Sequence, residues 1–341
     1  MLSDAEPIVR RLAGLQESLG RPLRFDEYLD CVLYGPEGFY AVGGRAGRRG
    51  DFLTAPEVGP LFGAVVARWI DGEFERLGRP DEFRVIEVGA GPGTLARAVL
   101  AAAPHWSGRY VTVERSSVQR AGHPDGAVAL DALPAEPIVG VVIANELLDN
   151  LPFRLAVVDG GWREAHVRVE PSGALVELLL PAPDEWASLP DAAHGARLPV
   201  QSTAAAWVAD VVGRLKAGSL VVLDYCSATT AELARTEWRR WLRTYRGHER
   251  GTHYLRDPGH QDITVQVCID QLASPDAVRT QAQFLLRWGI DELVAEGRRE
   301  WERLAATPDL HALRMRSRVR EAESLLDPDG LGGFTVLEWR R

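Results

Sequence analysis

The stretch FRVIEVGAGPGTLARAVLAAA, residues 83–103, changes its hydrophobic period part-way along. Phe83 to Val88 is a short apolar run rich in β-branched residues and bounded by Gly89, whereas from Thr94 onward Leu95, Val99 and Ala102 recur on one helical face. The segment reads as strand, glycine turn, helix. Working outward, Tyr110 to Val113, Val139 to Ala144 and Leu220 to Leu223 are further short apolar runs, with helical patterns between some of them. Strands alternating with helices predict an α/β protein built on a doubly wound sheet.

Upstream, Ile8, Leu12, Leu15 and Leu19 predict an amphipathic helix, and residues 58–77 predict a second one ending at Gly78. Residues 21–50 carry two prolines and six glycines around Tyr28, Tyr34, Phe39 and Tyr40, a composition that suits a structured loop or an aromatic lid. Downstream, Asp159-Gly160-Gly161 and Pro171-Ser172-Gly173 divide residues 153–180 into a β-meander. Residues 263–269 read as one strand, 276–325 as mostly helical, and Gly332 to Trp339 as a closing edge strand. This gives an N-terminal helical and lid region (1–80), a ligand-binding core that includes the meander (81–225), and a C-terminal cap with its closing strand (226–341).

In Glu87-Val88-Gly89-Ala90-Gly91-Pro92-Gly93 the missing side chains let backbone approach a ligand, and the following helix offers free N–H groups. A dinucleotide fingerprint counted from Gly89 requires glycine at 94, where Thr94 stands. The acid Glu87 would repel a pyrophosphate but suits the ammonium and sulfonium of S-adenosylmethionine. Glu114 ends the next strand, where a carboxylate can accept both ribose hydroxyls. Asn145-Glu146-Leu147-Leu148-Asp149 follows another strand, at the edge where open α/β sheets bind ligands. Glu146 and Asp149, three apart, can face one side; Asn145 can also serve as a helix cap.

Composition narrows the partners. The 341 residues hold 39 Lys+Arg and 48 Asp+Glu, a net charge of −9 that argues against a nucleic-acid-binding surface. No stretch approaches the ~18 apolar residues of a membrane span, so no membrane partner is expected. Cys31, Cys226 and Cys268 lie far apart with no CxxC pair, which gives neither a zinc cluster nor a disulfide framework. His248, His253 and His260 are spaced for no helical metal face, so no metal is expected. With no apolar core of a secretory signal at the N-terminus, the expectation is a cytoplasmic protein.

The segments Gly50-Asp51-Phe52-Leu53-Thr54-Ala55-Pro56-Glu57, Leu61-Phe62-Gly63, EVGAGPG (87–93) and NELLDNLP (145–152) together resemble the MidA-like family of methyltransferases. That family is related to the mitochondrial complex I assembly arginine methyltransferase. Leu223-Asp224-Tyr225, Tyr245-Arg246 and Gly259-x-x-Asp262-Ile263-Thr264 extend the resemblance over nearly the whole chain. It implies a class I methyltransferase (Rossmann-like) fold and S-adenosylmethionine as cofactor, bound by Glu87, Gly89, Gly91, Gly93, Glu114, Asn145 and Thr54. It also implies transfer to arginine nitrogen in a protein. Where members of the family commonly read DITAHVDF, this chain has DITVQVCI (262–269), a departure that keeps a small-molecule or peptide acceptor open.

Methyl transfer is an in-line displacement in which the protein aligns the nucleophile and excludes water. An arginine acceptor stays protonated, so carboxylates must hold its guanidinium. Glu57, Glu146 and Asp149 are the candidates, followed by Asp51 and Asp262. A nicotinamide oxidoreductase and a noncatalytic assembly factor are the rivals from other classes, and the oligomeric state is left open.

Overall fold

The computed structural model describes residues 6–41, 54–247 and 249–341. Its centre is a seven-stranded sheet of β1 (Arg84–Val88), β2 (Tyr110–Val113), β3 (Ala127–Leu130), β4 (Ile138–Asn145), β5 (Leu215–Asp224), β6 (Ala277–Thr280) and β7 (Thr335–Arg340). The spatial order is β6-β7-β5-β4-β1-β2-β3. Neighbours from β5 to β3 pair in parallel, and β7 runs antiparallel to both β5 and β6. This is the class I methyltransferase α/β fold.

Burial on both faces explains the near-continuous apolar runs. Val141, Ile143, Val221 and Leu223 face a core closed by the helices Pro60–Arg76, Thr94–Ala102 and Gln281–Arg287. Val142, Ala144, Leu220 and Val222 face the opposite core, closed by the helix Ser202–Arg214. Gly59 separates a short helix, Ala55–Val58, from Pro60–Arg76.

A second sheet is antiparallel: Arg154–Val158, Trp162–Val169 and Leu175–Pro181 form the meander, Arg197–Val200 extends the edge at Arg154–Val158, and Leu23–Arg24 pairs with the central strand Trp162–Val169. Leu23 pairs with Val167, so the N-terminal helix Pro7–Leu19 shares one core with the meander. The chain-order divisions at 80 and 225 are therefore crossed by strand pairing: Leu23–Arg24 joins the meander, and β6 and β7 join the central sheet.

Several local expectations need correction. Residues 25–34 are helical, a short α-helix running into a π-turn, because Phe25, Tyr28, Leu29, Val32 and Leu33 bury one apolar stripe. The strand expected over 263–269 is two short strands in different sheets. Asp262–Val265 pairs with Leu242–Arg246, and after Gln266 Val267–Cys268 pairs with Cys226–Ser227. β7 is an interior strand, and β6, which the sequence hid at the head of a helical segment, is the edge. β3 went unrecognised because AVAL is short and half-exposed.

Candidate functional site

The strand order reverses between β1 and β4, and the carboxyl ends of the strands open there onto a cavity of about 490 Å³. The turn after β1 shapes it. Gly89, Gly91 and Gly93 have φ of 69, 52 and 76°, a left-handed region that side chains rarely enter, so glycine is required at all three. The Gly91 N–H donates to Glu114 Oε2 at 2.9 Å, and the Ser116 N–H donates to Oε1 at 2.8 Å. One carboxylate thus ties the turn to the end of β2, and each oxygen keeps a lone pair for a further donor such as a ribose hydroxyl. Behind the turn, His123 Nε2 lies 2.8 Å from the Gly91 carbonyl and Nδ1 lies 2.7 Å from the Thr112 hydroxyl. Since a carbonyl only accepts, Nε2 is the donating nitrogen.

Glu87 borders the cavity, but its carboxylate is engaged inside the sheet, accepting from the Tyr110 hydroxyl at 2.8 Å. Burial pushes this carboxyl up to about 8. It braces β1 against β2 beneath the turn. At the end of β3, Asp131 and Ala132 also line the cavity, a pair the sequence reading missed. Val113 pairs with Leu130, so Asp131 stands one strand over from Glu114, and its carboxylate can accept hydrogen bonds there. An acid directly after the short run AVAL was the signal available.

β4 ends in Asn145, whose Nδ2 donates to Glu146 Oε1 at 3.2 Å while its Oδ1 is buried with no partner among the described residues. Such an orphan acceptor in the cavity wall fits a ligand donor. Glu146 adopts φ 50°, unusual for a residue with a side chain, and its N–H donates to the Leu223 carbonyl at 2.8 Å. Burial, then the charge of Asp149, pushes its carboxyl well above the usual range.

Asp149 does not share the cavity wall with Glu146. The left-handed residue redirects the chain, Leu148–Asn150 is a single 3-10 turn, and Asp149 is 4% exposed, accepting from the Thr264 hydroxyl. Its Oδ1 has no partner among the described residues, and burial raises the carboxyl to about 6. Two more buried acids surround it. Asp224, at the end of β5, accepts from the N–H of Leu148 at 2.9 Å. Asp262 accepts from the Tyr40 hydroxyl at 2.9 Å and from Asn150 Nδ2 at 3.0 Å, and burial raises it to about 7.

Thr54 and Glu57 border the cavity on the side of the short helix Ala55–Val58, and Glu57 Oε1 accepts from the Thr94 hydroxyl at 2.5 Å. Asp51 lies outside the described residues. Of the four aromatics expected in a lid, Tyr34 and Tyr40 line the cavity, stacked at 5.5 Å with Arg115 over Tyr34 at 4.9 Å. Tyr28 and Phe39 are core residues. Among the described residues no group of three or more His, Cys, Asp or Glu is disposed to hold a metal ion. His253 stacks beside Tyr254, His260 faces Glu6, and His248 lies outside the described residues.

A family model described as S-adenosyl-L-methionine-dependent methyltransferase matches residues 65–285. A crystal structure of a Burkholderia thailandensis protein bound to S-adenosyl-homocysteine superposes with a TM-score of 0.82 at 28% identity, covering 100% of this chain and 93% of that one. The mitochondrial protein arginine methyltransferase NDUFAF7 of Xenopus tropicalis is 25% identical over 85% of this chain and 77% of its own length. Its Drosophila melanogaster homolog is 30% identical over 46% of this chain and 44% of its own length, so that alignment spans less than half of the fly protein. These relatives overturn the cytoplasmic placement drawn from the sequence, since they are mitochondrial proteins.

Proposed function

The chain belongs to that family of S-adenosylmethionine-dependent methyltransferases, and from this premise we propose that it methylates an arginine nitrogen in a protein. S-adenosylmethionine supplies an electrophilic methyl group; the protein's work is alignment and exclusion of water. A guanidinium remains cationic in any pocket, so the acceptor end of the cavity must be acidic. Glu146 carries the reading: a carboxyl in the cavity wall, held by its backbone and with no cationic partner among the described residues, which a guanidinium would draw into its ionised form. The names of the relatives support the same acceptor.

In this reading the Gly89–Gly93 turn, Glu114, Asn145 and Thr54 hold the donor, Asp131 accepts from the purine, and Glu87 braces the turn from inside the sheet. Glu146 orients the acceptor, Glu57 flanks it, and Asp149 acts on Glu146 through its charge. Asp51 stays a candidate on sequence grounds. The departure in residues 262–269 does not favour a small-molecule acceptor. Gln266 and Cys268 both bond to Gln201 through their backbone, and neither lines the cavity.

The test is to incubate the protein with labelled methyl donor and cell lysate, then hydrolyse the labelled protein. Methylarginine is the expected product. Label confined to small molecules transfers the assignment to the alternative acceptor class, and donor binding without any transfer points to a noncatalytic factor. With a net charge of −9, no gel-shift complex with tRNA is expected at about 0.15 M salt.

A further inference from the structure

A second cleft, of about 450 Å³, opens between Tyr225, which follows β5, and the loop that leads into β7. Tyr225 and Phe334 pack with ring centroids 4.0 Å apart on its floor. Arg243 lines the same cleft, its guanidinium 5.1 Å from the Tyr225 ring centroid. Its Nε is buried without a hydrogen-bond partner, and it joins no ion pair among the described residues. Asp329 also lines the cleft but is exposed and does not pair with it.

This is an unusual state for an arginine. A guanidinium carries five donors in a planar fork that matches a carboxylate, and leaving buried donors unmet is costly. The cleft also touches the proposed acceptor end. Arg243 pairs with Thr264 across its strand, and Thr264 donates to Asp149. The charges of Glu146 and Asp149 both act on the Tyr225 hydroxyl. The charge of Arg243 also acts on Asp149 and on Tyr225, so the cleft and the acidic end of the donor cavity lie within electrostatic reach of each other.

We propose that the Tyr225–Arg243–Phe334 cleft binds a carboxylate side chain of the acceptor polypeptide, gripped by Arg243 while the reacting nitrogen reaches Glu146. The polypeptide occupant rests on the acceptor reading above; the carboxylate site rests on the cleft alone. An open cleft lined by two aromatic rings and a guanidinium that makes no ion pair among the described residues suits a side chain of a chain lying across it.

The experiment uses the full chain saturated with S-adenosyl-homocysteine and pairs of short peptides, each with one arginine and differing only in glutamate or glutamine at a nearby position. Calorimetry should find the glutamate member of a pair bound at least tenfold more tightly, and Arg243→Gln should erase the difference without changing S-adenosyl-homocysteine affinity or Tm. Equal binding of both members by the wild type, or a preference that survives in Arg243→Gln, overturns the proposal. Binding of free glutarate with no gain from the peptide also overturns it, in favour of a small carboxylate. Should Arg243→Gln unfold, Arg243→Lys keeps the charge without the fork, and the wild-type comparison still decides. Peptides that bind with the expected preference but never accept label remove the arginine reading and leave the cleft standing.

Discussion

Gly91 donates its backbone N–H to Glu114 at 2.9 Å across 23 positions of sequence, so the turn after β1 and the acid that ends β2 form one unit. The two ends of the donor site are thereby coupled: a change in either residue alters the shape presented by the other.

Gly91→Arg should abolish S-adenosyl-homocysteine binding in calorimetry while the circular dichroism spectrum stays native-like. A Cβ there would lie 3.3 Å from Gln119 Oε1, φ is 52°, and the added side chain occupies space at the cavity wall. Unchanged affinity would reduce the turn to a structural feature.

Glu114→Ala should weaken donor binding by about 1.5–3 kcal/mol, the range for charge-assisted hydrogen bonds. Glu114→Gln should not rescue it, because both carboxylate oxygens already accept backbone N–H groups and an amide must turn its NH₂ toward one of them. Near-wild-type affinity in the glutamine variant would remove the turn-to-acid link from the account.

Glu146→Gln and Asp149→Asn should separate. Glu146 stands in the cavity wall, so its variant should keep donor affinity and lose ~10² to 10⁴ in kcat. Asp149 is buried behind it, so its variant should lose less than about tenfold, the loss expected of a group acting through another. Equal losses in steady-state assays would place both carboxylates against the acceptor.

Stability should report the buried acids through pH. Burial raises Glu87 to about 8 and Asp149 to about 6 in the folded protein, above their ordinary values of 4.5 and 3.8. The folded state then holds these protons more tightly than the unfolded chain. Their contribution is complete below the ordinary values and is lost as pH rises through the folded ones. Glu87→Gln, which keeps an acceptor for Tyr110, should therefore gain Tm relative to wild type between pH 5 and pH 9, as should Asp149→Asn between pH 4 and pH 7. A Tm difference that does not vary with pH would show that neither carboxyl is perturbed.

The glycine turn and the strand ends that border the cavity were legible because their signals are local. The strand, the GxGxG turn, the helix start and Glu114 each follow from a few adjacent residues, and strand ends in a parallel sheet fall on one edge whatever the rest of the chain does. Asp131 escaped only because β3 has the weak pattern of a half-exposed edge strand.

The acceptor half was not legible in the same way. Spacing by three suggests that Glu146 and Asp149 share a face, which holds for an α-helix; one left-handed residue at Glu146 breaks the premise. Residues 262–269 look like one apolar strand, and only the competing partners Leu242–Arg246 and Cys226–Ser227 divide them.

Sequence by itself determined the class of the fold and the cofactor, because hydrophobic period and backbone conformational need are written residue by residue. Tertiary structure decided which acids face the cavity, which lie buried behind it, and that Arg243 stands beside them with no ion pair among the described residues. Those facts depend on the burial and charge brought together by segments distant in sequence, such as Leu148 with Asp224 and Asp149 with Thr264, a quantity that no local pattern encodes.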